Sequence, residues 1–335
     1  MQTAIKSRNM SIELMRCCMM FGIVLDHIMT QDGWFAQGGP FVRQFINLLG
    51  GPGVVGFVFI SGYYGIRYSK EKAFRLLALF AFYTIAFAAP NYDWSKVFGH
   101  HLTHNWFLFA YLVLMLFAPV FNAALEGKSK QQVLGLTLPI LVAVFGWSYL
   151  NVIPGIKDYV PVVTGFGSLS FFTLFGVYMA ARTFRLLELE RFLCGKVIVL
   201  VGAIAMAAVF IGFHHNNCVA TLVLCACLFV GFSRIQLMST MSKIVAWVAP
   251  TTFGIFLLHS TLAGYWVRRT LIEFVATHCG VYAGYIITTI VVFCACCVVD
   301  KLRKAILLLF RQKIMDCRSR RCGDGTKNDN KREET

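Results

Sequence analysis

Apolar residues run along this chain in blocks of about 20, separated by short polar and charged breaks. Ten blocks can be marked: 11–29, 45–66, 73–90, 105–123, 132–150, 165–182, 195–213, 217–232, 249–268 and 281–300. A helix needs about 20 mostly apolar residues to cross bilayer hydrocarbon, so each block predicts a spanning helix, the eighth being the shortest. Few blocks are purely apolar, which predicts a packed bundle with a polar interior. In "GGPGVVGF", Gly50, Gly51, Gly53 and Gly56 allow either close helix approach or a break in the helix. The expected fold class is all-α: a polytopic transmembrane helix bundle of about ten spans, one integral membrane domain over residues 1–314. The segment 315–335 is polar and basic and is expected to be a disordered cytoplasmic tail. The first apolar run has no A-x-A site and further spans follow it, so it is expected to be retained rather than cleaved.

Composition agrees with the blocks. The 335 residues are 58% apolar and 14% charged with a mean hydropathy of +0.67, against about 25% charged in a soluble domain. A net charge of +15 would point to nucleic acid in a soluble chain. Here its distribution points to membrane orientation. With the N-terminus in the cytoplasm, 25 of the 31 Lys and Arg fall on the cytoplasmic side and five outside, Arg16 being the remaining one. The positive-inside rule then favours both termini inside and an even number of spans. The basic tail is expected to touch anionic membrane lipid, with no nucleic-acid partner. Histidines favour the other side: His100, His101, His104, His214, His215 and His278 fall in or beside outer loops. The twelve cysteines sit mostly inside apolar runs and read as small helix filler, and no metal site is expected.

The first block carries the main chemical signal. In "MRCCMMFGIVLDH", Arg16 and His27 lie eleven positions apart, about three turns plus 20°, so they share a face of one helix about 16 Å apart along its axis. Glu13 is within i,i+3 reach of Arg16. Ionisable groups inside a span are functional candidates by default. The alternative is that Arg16 reaches the interface and His27 caps the outer end.

The stretch "IELMRCCMMFGIVLDH" resembles the first-helix signature of the acyltransferase-3 family of integral membrane acyltransferases, an arginine and a histidine with ten residues between them. "FVFISGYYG" (57–65), "KEKAFRLL" (70–77), "NWFLFAYLVLMLFAP" (105–119) and "TTFGIFLLHS" (251–260) resemble further family segments in the expected order, over roughly residues 9–305. Where relatives often carry two arginines entering the third helix, this chain has Lys72 and Arg75. The resemblance implies transfer of an acyl group, commonly acetyl, from cytoplasmic acyl-CoA to a hydroxyl of a cell-surface polysaccharide or its lipid-linked precursor. Acetyl-CoA would then be a donor substrate, with no permanently bound cofactor, and the location would be a bacterial cytoplasmic membrane. No appended hydrolase-like domain is seen, which leaves direct transfer or a separate partner protein.

On this reading His27, Arg16 and His259 are the catalytic candidates. Arg75, Arg67 and Ser61 are the acyl-CoA-binding candidates, because arginines hold phosphates through charge-assisted hydrogen bonds. Trp106 and Tyr63 are candidates for the acceptor path. His27 can serve as general base or as transient acyl carrier. His259 can equally be a satisfied packing histidine, Ser61 a helix-packing residue and Trp106 an interfacial anchor. Arg268 and Arg269 are expected to end the ninth span at the outer headgroups, the alternative being contact with an anionic glycan or lipid diphosphate. A transporter or channel would also use intramembrane Arg and His and is the competing function, although no internal repeat is visible.

Overall fold

A computed structural model of the protein describes residues 9–30, 39–87, 99, 104–150, 171–211 and 219–329. His100, His101, His214 and His215, expected in or beside outer loops, lie outside the described residues. Those described form helices and no strands. In chain order they are α1 (Met10–Thr30), α2 (Gly39–Gly50), α3 (Pro52–Tyr64), α4 (Lys70–Ala86), α5 (Trp106–Leu125), α6 (Lys130–Leu150), α7 (Phe171–Leu186), α8 (Gly195–Ile211) and α9 (Val219–Ser233), then α10 (Ser239–Val248), α11 (Thr252–His259), α12 (Leu262–Cys279) and α13 (Val281–Asp329). Short 3-10 turns follow α7 and α10.

Two predicted spans are broken. The block 45–66 divides at Gly51, where Pro52 can open α3 but cannot continue α2. The block 249–268 is not one helix either. Its first part continues α10 through a 3-10 turn into α11, which stops at His259. Ser260 and Thr261 form the break, and the Thr261 hydroxyl accepts from the Gly264 amide at 3.0 Å to start α12. The segment beyond 314, expected to be disordered, continues α13 as helix to Asp329; its Lys and Arg are good helix formers. Trp106–Leu125, Ser239–His259 and Val281–Phe310 are each long and apolar enough to cross a membrane by length and composition.

α1 is the centre of the bundle. It packs against α2, α3, α9, α10, α11 and α13, and Met15, Val24, Leu25, Ile28 and Met29 are essentially fully buried. Its neighbours approach closely because glycines face it. Gly53 and Gly56 of α3 lie against Ile23 and Met19, and Gly50 lies against Asp26. α3 in turn meets α7 at Gly62, whose missing side chain leaves room for the Tyr178 backbone. The main core joins these helices through residues such as Phe59, Tyr178, Phe229 and Ile255. Small residues at crossing points let backbones come close enough for dispersion contacts to hold helices together in lipid.

This packing predicts a matched pair of outcomes. A Cβ at Gly62 would lie 2.6 Å from the Tyr178 carbonyl oxygen, and backbone on both sides cannot yield. Gly62→Ala is expected to destabilise the protein by about 1–3 kcal/mol. Gly231→Ala, in open space on α9, is expected to leave stability unchanged or slightly raised. Thermal unfolding of the two purified variants in detergent reads the difference, and equal melting temperatures would refute the close α3–α7 contact.

Candidate functional site

The two catalytic histidine candidates come from helices far apart in sequence and meet inside the bundle. His27, near the C-terminal end of α1, places Nδ1 2.8 Å from Nε2 of His259, the last residue of α11. The ring centroids are 5.0 Å apart with planes 30° from parallel. His259 is fully buried, whereas His27 keeps some exposure.

The protons of this pair follow from their partners. His259 Nδ1 lies 2.8 Å from the Ile255 carbonyl oxygen. A carbonyl only accepts, so Nδ1 carries the proton and donates. In a neutral ring, Nε2 of His259 is then a lone pair, and the proton in the His27–His259 bond belongs to His27 Nδ1. The Ser260 hydroxyl, 3.4 Å from the same Nε2, is a second, weaker donor to it. His27 is left with a bare lone pair on Nε2, which defines its basic atom.

Arg268 completes this end of the site. It was expected at the headgroups, yet it is only 1% exposed, and its Nη1 donates to the His259 carbonyl oxygen at 2.6 Å. That carbonyl is an orphan of the helix end created by the break at Ser260, and a cation there also suits the helix dipole. Its guanidinium and the His104 imidazole are within electrostatic reach of both histidine rings. The adjacent Arg269 points outward and pairs with Glu273 on the surface at 3.1 Å. Two neighbouring arginines thus face opposite environments because successive residues on a helix diverge by about 100°.

The other end of α1 holds a second polar cluster. Arg16 donates to Glu13 at 2.9 Å, and this pair is only partly accessible. α3 runs antiparallel to α1, so its C-terminal Tyr63 and Tyr64 come to the Arg16 end rather than to the acceptor path near His27. Tyr63 donates to Glu190 at 3.1 Å, and its carbonyl accepts from Arg185 at 3.2 Å. The Arg185 guanidinium sits 5.2 Å from the Tyr63 ring centroid, within cation–π range. Tyr64 lies within electrostatic reach of both Arg16 and Arg185. Arg234 donates to the Glu190 carbonyl at 3.1 Å and closes the cluster.

The three acyl-CoA candidates do not converge. Ser61 bonds its own helix at the Phe57 carbonyl (2.9 Å) and lies 3.3 Å from the Tyr111 hydroxyl. Arg67 lines a polar cavity of about 420 Å³ with Tyr64, Asn122, Glu126 and Arg182. Arg182 donates to Glu126 at 2.8 Å. The chain turns over Arg182 at Gly65, where φ is 77° and a Cβ would lie 3.1 Å from the guanidinium, so only glycine suits both demands. Arg75 is 79% exposed, pairs loosely with Glu71 at 3.9 Å and borders a different groove. Trp106 opens α5 beside Phe107, whose ring packs on Phe256 and through it on His259. It is therefore at the histidine end.

Sequence reasoning missed Arg268 and Arg185 as site residues. For Arg268 the available signal was an arginine inside "YWVRRTL", but the unbroken helix assumed there put it at a span's end. Among the described residues no group of three His, Cys, Asp or Glu is placed to hold a metal ion.

A family model described as an acyltransferase domain matches residues 9–299 of the chain. Neither the curated proteins nor the solved structures contain a match. The matched region includes the Arg16–His27 face, His259 and Arg268. It decides between enzyme and transporter in favour of the enzyme.

The assigned protons can be read directly. Nitrogen-15 NMR of histidine-labelled protein is expected to show His27 protonated on Nδ1 and bare on Nε2. In His259→Phe, which removes the acceptor, His27 is expected to lose that fixed tautomer. An Nε2–H tautomer for His27 in the native protein would overturn the assignment.

Proposed function

The chain belongs to the acyltransferase-3 family and is a membrane acyltransferase, and from that premise we propose that it moves an acyl group, acetyl in the simplest case, from cytoplasmic acyl-CoA to a saccharide hydroxyl at the opposite face. The acceptor in this reading is a cell-surface polysaccharide or its lipid-linked precursor. The membrane is the bacterial cytoplasmic membrane, crossed about ten times with both termini inside. The observation that carries the proposal is the His27–His259 pair on the same α1 face as Arg16. His27 Nε2 is a base held in one tautomer at one end, with Arg268 beside it, and Arg16, Arg185 and Arg234 lie at the other.

The distances suit a coenzyme A arm. From thioester sulfur to the first phosphorus, pantetheine contributes about 13 bonds, roughly 16 Å when extended like a polypeptide backbone. The axial separation of His27 and Arg16 is also about 16 Å. A diphosphate held by Arg16 and Arg185 would place the thioester beside His27. The adjoining cavity of Arg67 and Arg182 would then lie within reach of the nucleotide's remaining phosphate, with Ser61 along the arm. Arginine suits this task because its planar fork matches phosphate oxygens.

In the proposed reaction the acceptor hydroxyl enters from the Trp106 side and gives its proton to His27 Nε2 as its oxygen attacks the thioester carbon. His259 Nε2 accepts from His27 Nδ1 throughout, which favours the imidazolium that forms. The buried charge of Arg268 favours negative charge developing on the carbonyl oxygen. The C–S bond then breaks, coenzyme A leaves as thiolate, and the proton held by His27 returns to that sulfur. The products are the O-acyl saccharide and coenzyme A, so atoms and charge balance.

Turnover of acetyl-CoA by purified protein with a supplied glycan acceptor tests this reading. His27→Ala is expected to lower kcat about 10²–10⁴-fold, the usual worth of a positioned general base. Arg16→Ala is expected to act mainly on the KM for acetyl-CoA. His259→Gln is expected to fall between wild type and His27→Ala. Undiminished turnover in folded His27→Ala would refute the role of the pair, and failure to bind any acyl-CoA would refute the donor.

A further inference from the structure

Arg75 is left over by the donor reading, and the groove it borders has its own construction. The groove measures about 550 Å³ and runs between α4, the start of α11 and α13. One end is basic. Asp300 of α13, 1% exposed, accepts from Tyr83 of α4 at 2.7 Å and from Arg303 at 2.8 Å. It also pairs with Lys304 at 2.6 Å. Lys304 reaches on to the Pro250 carbonyl at 2.8 Å, and Gly254 of α11 lies directly against the carboxylate. This network fixes two cations at the rim of the groove. Against Arg75, Arg303 and Lys304 stands the single buried charge of Asp300. Glu71, itself 83% exposed, weakens Arg75 little at 3.9 Å.

The remaining wall is apolar and open. Phe74, Leu79, Phe82, Phe253 and Leu307 line it. Phe74 is 72% exposed, and the apolar surface continues along α13 through Ile306 and Phe310. In a membrane protein such a surface faces hydrocarbon, so the groove opens sideways into acyl chains while its cations sit at one leaflet's headgroup level. A nucleotide would need polar partners for its base and sugar, and this wall has none to offer. An occupant with one negative phosphodiester and an aliphatic chain satisfies both ends, and basic pockets between helices on the cytoplasmic side recognise such headgroups.

We propose that this groove binds an anionic phospholipid, its phosphate on Arg75 and Lys304 and one acyl chain along Phe74, Leu79 and Phe82. The site is separate from the Arg16 cluster and from the histidine pair. It joins α4 to α11, the helix that ends in His259, so its occupant helps hold the catalytic helix in place.

Native mass spectrometry of the full chain, exchanged into mixed micelles of dioleoyl phosphatidylglycerol and dioleoyl phosphatidylcholine, tests it. Wild type is expected to retain phosphatidylglycerol over phosphatidylcholine about tenfold, from two cations near one phosphate. Arg75→Glu, at a solvent-exposed position that should not disturb folding, is expected to bring the ratio near parity; Arg75→Gln is expected to fall between. A variant with Arg318, Arg320 and Arg321 changed to Gln is expected to keep the preference. Equal retention of the two lipids by wild type would overturn the site. So would an unchanged ratio in Arg75→Glu, or loss of preference in the tail variant instead. Displacement of the retained lipid by added acetyl-CoA would assign the groove to the donor and equally overturn the proposal.

Discussion

A helix that carries charge through the middle of an apolar bundle must bring its partners with it. α1 is that helix, and the rest of the fold is arranged around satisfying it. At one end Glu13 lies one turn before Arg16 and takes its guanidinium. At the other end no residue of α1 bonds the His27 ring, so the partner comes from α11, 232 residues later in the chain. An unpaired imidazole N–H in a dry interior costs the full desolvation of a polar group. The meeting of α1 and α11 is therefore a requirement of folding as well as a feature of the site.

The break between α11 and α12 follows from the same demand. A continuous helix from 249 to 268 would satisfy the His259 carbonyl internally and carry Arg268 about two and a half turns beyond it. Ending α11 at His259 exposes that carbonyl, and Arg268 folds back to cap it. The break thus places a permanent cation within reach of the histidine pair. A buried arginine is costly unless its hydrogen bonds are met, and here part of its valence is spent on holding the helix end that presents His259. Structure and chemistry share the same atoms.

At the basic end, polar groups are distributed over two separate clusters and a groove. Tyr63, Glu190, Arg185 and Arg234 tie α3 and α7 to the turn after α7. Tyr178 ties α7 to α5 and to the turn after α3, accepting from the Ile66 amide and donating to Asn122. Asp300 does the same for α4, α11 and α13. Each cluster offsets part of its positive charge locally, which lowers the repulsion among the cations that crowd one end of the bundle.

The sequence alone determined the helical class, the charged face of the first helix and one half of the candidate site. Hydropathy blocks mark helices because length and apolarity are local properties, and the eleven-residue spacing of Arg16 and His27 sets a shared face by helical geometry alone. The family segments placed His259 among the candidates but not beside His27. The tertiary structure decided that contact, the tautomer it imposes and the burial of Arg268, since each depends on which helices pack together. It also moved Tyr63 to the Arg16 end, because antiparallel packing reverses the direction in which a residue number climbs the bundle. The glycines around Gly51 left a helix break there open, whereas the break at Ser260 was the least legible. A break within an apolar run leaves hydropathy unchanged, and what stabilises it is a partner from elsewhere in the chain.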